Sequence, residues 1–194
     1  MAEKIQTLLT EIRACTVCQG LPLGPRPVLQ VGKAKILIAG QAPGIRVHKS
    51  GIPFDDPSGQ RLRTWMGIDK ETFYNPDMVN IIPMGFCYPG TLEKGGDLPP
   101  RPECAATWHQ QLFKILPRQT VKLVIGQYAH AYHLGGTKEK TLTATVEKWR
   151  DFAPDIFPMP HPSPRNIFWL KRNPWFELEV IPALQARIKE VLET

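Results

Sequence analysis

Four short apolar runs, at residues 35–39, 78–82, 121–125 and 155–159, constrain the fold of this chain more than any other feature. Each is too short to stand alone as a helix, and each is followed at once by glycine or proline. The stretches between them carry helical spacing. Residues 2–14 put Ile5, Leu8, Leu9 and Ile12 on one face, and a second helix opens at Ser58-Gly59 and closes at Gly67. Further helices are expected over 102–116 and 127–134, the latter stopped by Gly135-Gly136. Thr141–Phe152 fits helix or strand. A last helix, with Asn173 as N-cap and Pro174 as first residue, is expected to turn Trp175, Leu178, Ile181, Leu184, Ile188 and Leu192 inward and to kink at Pro182. Strands alternating with helices predict a three-layer α/β/α fold, with a central, mainly parallel four-stranded sheet in a single domain over 1–194.

An open parallel sheet places ligands outside the carboxyl ends of its strands. The first such end is Lys35–Gly59, KILIAGQAPGIRVHKSGIPFDDPSG, where the apolar run breaks at Gly40 into a loop. Gly40, Pro43 and Gly44 allow a backbone to approach something flat or anionic. Phe54, between a proline and two acids, is badly placed for a core aromatic. A planar ligand is the expectation. The second strand contains Asn80, which is either a hydrogen-bonded strand-end amide or a reader of a polar ligand edge, since Asn offers donor and acceptor together. The fourth strand delivers His161-Pro162-Ser163-Pro164-Arg165-Asn166. In a parallel sheet these three ends share one edge, and a stacking ring, an amide and an imidazole together suit a nucleobase.

A formal charge of +6, from 24 Lys+Arg against 18 Asp+Glu, permits a polyanionic partner. No apolar run is long enough for a membrane span, so a cytoplasmic protein without membrane contact is expected. In that compartment Cys15, Cys18, Cys87 and Cys104 are poor candidates for structural disulfides. Cys15 and Cys18 form a CxxC that lets two thiolates share a metal, and Cys87 and Cys104 bracket a proline- and glycine-rich loop. Zinc and an iron–sulfur cluster both accept four thiolates; free buried thiols are the alternative. His130 and His133, three apart on a helix, read as satisfied or exposed residues rather than ligands.

GQAPG, GIPFDDPSG, a strand carrying Asn80, and HPSPRN, in that order, together resemble the uracil-DNA glycosylase superfamily. The pairing of GxAPG with GxPF is most similar to its iron–sulfur-containing branch, family four, as is the placing of the four cysteines; HPSPRN is closer to the single-strand-selective branch. The resemblance implies a monofunctional glycosylase that hydrolyses the bond between uracil, or another deaminated base, and deoxyribose in single- or double-stranded DNA. It implies a monomer with a 4Fe-4S cluster on Cys15, Cys18, Cys87 and Cys104, zinc being the rival. His161 would donate to uracil O2 as charge develops, Phe54 would stack on the flipped base, and Asn80 would read its edge. Backbone amides of Gln41 and Ala42 would add donors. Pro43, Gly44 and Ser163 would pinch phosphates, and Arg165 would fill the gap in the stack or hold a phosphate. Lys49, Arg61 and Arg63 would charge the groove.

The chain departs from family four at Gln41, where that branch carries Glu, and at Ile45, where it often carries an acid. Family five instead has an acid just after the stacking Phe, a place matched here by Asp56, with Asp55 its rival. Asp56 is therefore expected to position or activate water, or to stabilise the sugar cation. The missing Glu also supports a second reading, a protein that binds or cross-links uracil-DNA without turnover.

Overall fold

The computed structural model describes residues 2–193. Helix α1 (Ala2–Arg13) precedes a long connector and strand β1 (Ile36–Ala39). Next come α2 (Ile45–Ser50), α3 (Pro57–Met66), α4 (Lys70–Phe73) and strand β2 (Val79–Ile81). Beyond residues 82–101 lie α5 (Pro102–Cys104), a π-turn at Ala105–His109 and α6 (Gln110–Ile115). Strand β3 (Val121–Ile125) leads into α7 (Gly126–Leu134), α8 (Leu142–Glu147) and strand β4 (Ile156–Met159). Helix α9 (Ile167–Arg172), a second π-turn at Phe176–Val180 and α10 (Ile181–Leu192) complete the fold.

The sheet order is β2-β1-β3-β4, and every pairing is parallel, with Ile38 opposite Ile81 and Leu123 and with Val124 opposite Pro158. Both sheet faces are covered. Ile36, Ile38, Ile81 and Leu123 pack under α3 and α10, whereas Leu37 and Ile82 pack under α1 and α6. Apart from the half-buried Lys122 and Ile156 the strands are buried, because they must satisfy both layers at once, which is why they read as apolar runs rather than alternations.

The ambiguous stretch 141–152 resolves as α8, capped by the Thr141 hydroxyl accepting from Ala144 N. The last helix departs from its expected face. Ile181, Leu184 and Ile188 are buried as expected, but Leu178 is 75% exposed, and Phe176, Val180 and Val191 join the buried face. The π-turn at Phe176–Val180 inserts an extra residue per turn and rotates the helical phase, carrying Leu178 outward. Pro182 falls in the first turn of α10, where its missing N–H costs little. Among the described residues no helix is long and apolar enough to cross a membrane.

Candidate active site

The carboxyl ends of β1, β2 and β4 open into a cavity of about 530 Å³. Its first wall is the stretch after β1. Gly40, Gln41, Ala42, Pro43 and Gly44 line it, and α2, a helix within a segment expected to be loop, carries the chain round to Phe54. Phe54 lines the cavity at φ 54°, a left-handed conformation unusual for a residue with a side chain. Three contacts hold it there. Its ring meets Phe73 edge-on at 6.2 Å, Tyr74 Oη donates to its carbonyl at 3.3 Å, and α3 packs directly on its backbone. The last contact requires Gly59: a Cβ there would stand 1.8 Å from the Phe54 oxygen.

Asp56 caps α3, its Oδ1 accepting from Gly59 N at 2.9 Å, and it also lines the cavity. Asp55 is exposed and does not line it. His161 stands on the far side, carried there by the end of β4. Burial lowers its pKa, opposed by the Asp56 carboxylate, so the ring is held neutral near pH 7 as a hydrogen-bond donor. The loop after it is braced from several sides. Asn166 Nδ2 donates to the His161 carbonyl at 2.7 Å, Arg61 Nη1 donates to the Ser163 carbonyl at 2.9 Å, and Ser163 Oγ accepts from Arg165 N at 3.2 Å. Ser163 and Arg165 reach the cavity from this loop.

Three expectations change here. Asn80 does not line the cavity. It is fully buried, with Oδ1 accepting from Gly32 N at 2.7 Å and Nδ2 donating to the Ala34 carbonyl at 3.1 Å. It is paired opposite Leu37, and strand alternation turns it away from the face of Ile81, which does line the cavity. Pro83, just past the strand, meets the cavity in its stead. Arg61 serves the His161 loop, and the Arg63 guanidinium lies over the rings of Phe73 and Tyr74, so neither is a free groove cation; Lys49 is exposed.

A further wall was not foreseen. Within the segment expected to be a featureless loop, Thr91 bridges antiparallel to Asp97, and Gly95 and Gly96 turn the chain at φ 84° and 94°. Thr91, Gly96 and Asp97 line the cavity. Gln41 Nε2 donates to the Leu98 carbonyl at 2.9 Å, tying this hairpin to the first wall. The Gly-Gly pair was the available sequence signal. Partial burial raises the Asp97 pKa, Arg165 opposes that, and the Asp56 charge adds to it. The fully buried His109 donates from Nε2 to the carbonyl of Pro83, itself a cavity residue, at 3.0 Å and stacks on Phe86.

The cysteines lie away from this cavity. All four are free, with Cys87 and Cys104 buried and Cys15 and Cys18 half-buried. Each of Cys18, Cys87 and Cys104 is within electrostatic reach of at least two other thiols of the set. Three N–H donors point at sulfur: Trp108 Nε1 to Cys15 at 3.4 Å, Phe86 N to Cys104 at 3.4 Å, and the Arg26 backbone to Cys87. Burial pushes Cys104 up to about 12 and raises Cys18 and Cys87. Buried thiols converging under N–H donors fit an occupant that accepts thiolates and hydrogen-bonded sulfur. Among the described residues no group of three or more His, Cys, Asp or Glu side chains is set to hold a single metal ion. His130 is satisfied on the Val124 carbonyl at 3.0 Å. Compared with known families, the chain matches the model of the uracil DNA glycosylase superfamily over residues 27–185.

Proposed function

Because the chain belongs to the uracil DNA glycosylase superfamily, we propose that it is a monofunctional DNA glycosylase that hydrolyses the N-glycosidic bond of uracil in DNA. The observation that carries this reading is the convergence of Phe54, Asp56 and His161 on one cavity of base-holding size. Extruding a base costs a few kcal/mol of unpairing and unstacking, which a fixed aromatic platform offsets. Phe54 is such a platform, since its backbone is pinned by Gly59 and Tyr74.

Breaking the glycosidic bond leaves an anionic base and a cationic sugar, so charge stabilisation is the main task. The neutral His161 donates to the base oxygen that gains charge. Asp56, with one oxygen committed to Gly59 N, is a fixed anion facing the sugar. The base edge is met by backbone of Gln41 and Ala42 rather than by Asn80. Pro43, Gly44 and Ser163 suit close approach of phosphates, and Arg165 is the cation at the mouth. Uracil-containing DNA, single- or double-stranded, is the proposed substrate of a monomeric enzyme.

Cys15, Cys18, Cys87 and Cys104 would hold a 4Fe-4S cluster, which pins the 84–102 segment to the end of α1. A brown preparation with iron and sulfide at equal molar amounts supports that assignment, and a colourless zinc protein refutes it. The activity itself is tested with labelled single- and double-stranded DNA carrying uracil, hypoxanthine or xanthine, scoring abasic sites by alkaline cleavage. Uracil-dependent cleavage is expected. A denaturation-resistant DNA adduct without cleavage would instead establish the cross-linking reading.

A further inference from the structure

We propose that Asp97, delivered by the 91–97 hairpin, accepts the proton of the attacking water, while Asp56 serves as the fixed counter-charge to the sugar. This rests on the glycosylase reading above. Two carboxylates reach the cavity, Asp56 from the start of α3 and Asp97 from the 91–97 hairpin, and they are not equivalent. Asp56 already accepts from Gly59 N at the start of α3, which uses one of its oxygens. Asp97 makes no side-chain hydrogen bond among the described residues, and its Oδ2 rests against Gly44, 3.4 Å from where a Cβ would stand.

Position favours the same division. A base stacked on the half-buried Phe54 must direct its glycosidic bond outward, because the sugar stays joined to the DNA. Asp97 is exposed at the rim beside Gly44 and Arg165, where that sugar would lie. Gln41, which stands where family four has an acid, anchors the hairpin through the Leu98 carbonyl at 2.9 Å. The position thus supports an acid on a different element.

In the step, the water oxygen bonds to C1′ as the C1′–N1 bond breaks, and the bonding pair leaves on the base. The water proton passes to the Asp97 carboxylate and then to solvent. The charged groups that face Asp97 are Arg165, from the His161 loop, and Asp56, from the start of α3; Gly44 and Thr91 bring no charge. Although Asp97 opens to solvent at the rim, desolvation by the groups around it, opposed by Arg165 and reinforced by Asp56, raises its pKa above the ordinary carboxylate value, the direction a general base requires.

The test is single-turnover uracil excision by wild type, D97N, D97E and R165A across pH, together with binding to DNA carrying a non-cleavable uracil C-nucleoside. D97N is expected to bind the analogue within about threefold of wild type, to excise about 100-fold more slowly, and to lose the acid limb of the rate profile. D97E should recover part of the rate, and R165A should move the acid limb to higher pH, since Arg165 favours the charged form. A D97N rate within threefold of wild type overturns the proposal, as does a rate loss matched by lost binding or a retained acid limb. Wild type that excises no uracil overturns the glycosylase reading itself, which keeps the two failures distinct.

Discussion

The cavity wall of residues 40–59 and the wall of residues 90–98 each present a carboxylate, but by different means. In the first, Phe54 and Asp56 are held by a helix N-terminus, a tyrosine hydroxyl and a glycine contact that leave no slack. In the second, Asp97 sits on a short hairpin with glycines at its turn, tethered by side chains only at its two ends, by Tyr88 at Thr91 and by Gln41 at Leu98. The rigid wall suits groups that must stay still, a stacking platform and a fixed charge. The lightly tethered wall suits a group that must exchange a proton and let DNA enter and leave.

Substitutions can break this contrast. Gly59→Ala should be the most damaging change. Its Cβ would meet a backbone oxygen rather than a flexible side chain, for an expected loss of about 4 kcal/mol. Chemical denaturation measures it, and a loss below about 1 kcal/mol would show that the first wall is not rigid. His161→Ala should slow single-turnover excision by about 10²–10³, about 3–4 kcal/mol, while leaving stability near wild type.

The buried histidine that holds the Pro83 carbonyl has its own signature in pH. Burial holds His109 down at about 4 against an ordinary 6.5. Its contribution is complete above pH 6.5 and is lost as pH falls toward the folded value, because the unfolded chain takes up a proton that the folded chain refuses. The loss should amount to about 3 kcal/mol. His109→Gln keeps a donor for the Pro83 carbonyl and should flatten the stability profile over that window. Urea midpoints at several pH values check it, and equal slopes for the two proteins would refute it.

The smallest effect should come from the tether. Gln41→Leu should lower stability by about 1 kcal/mol and slow excision by about tenfold, with Phe54 unmoved. Gly96→Ala, at φ 94° with no atom within 4 Å, should cost about as much from backbone strain alone. If either proves as harmful as Gly59→Ala, the two walls are equally rigid and the contrast fails.

Much of the fold was legible in the chain itself. Strands buried on both faces must be largely apolar, so Ile36–Ala39 and Val121–Ile125, interrupted only by Lys122, announce themselves, and the glycine after each marks the edge where a site can form. Phe54, Asp56 and His161 were legible too, because an aromatic among acids and a histidine among prolines are poor core material. The rest depended on distance in three dimensions. Asn80 looked like a reader of ligand edges, yet one residue of strand alternation turns it onto Gly32 and Ala34. Leu178 lost its place in the core to an extra residue in a helical turn. Asp97 is one of several polar residues in a glycine-rich segment, and nothing local marks it out. Only the bond from Gln41 to Leu98, 57 positions apart, and the closing of the hairpin over Gly44 bring it to the cavity. Periodicity along the chain determines which residues are buried together; which carboxylate faces which is decided by loops whose ends are set by the whole sheet.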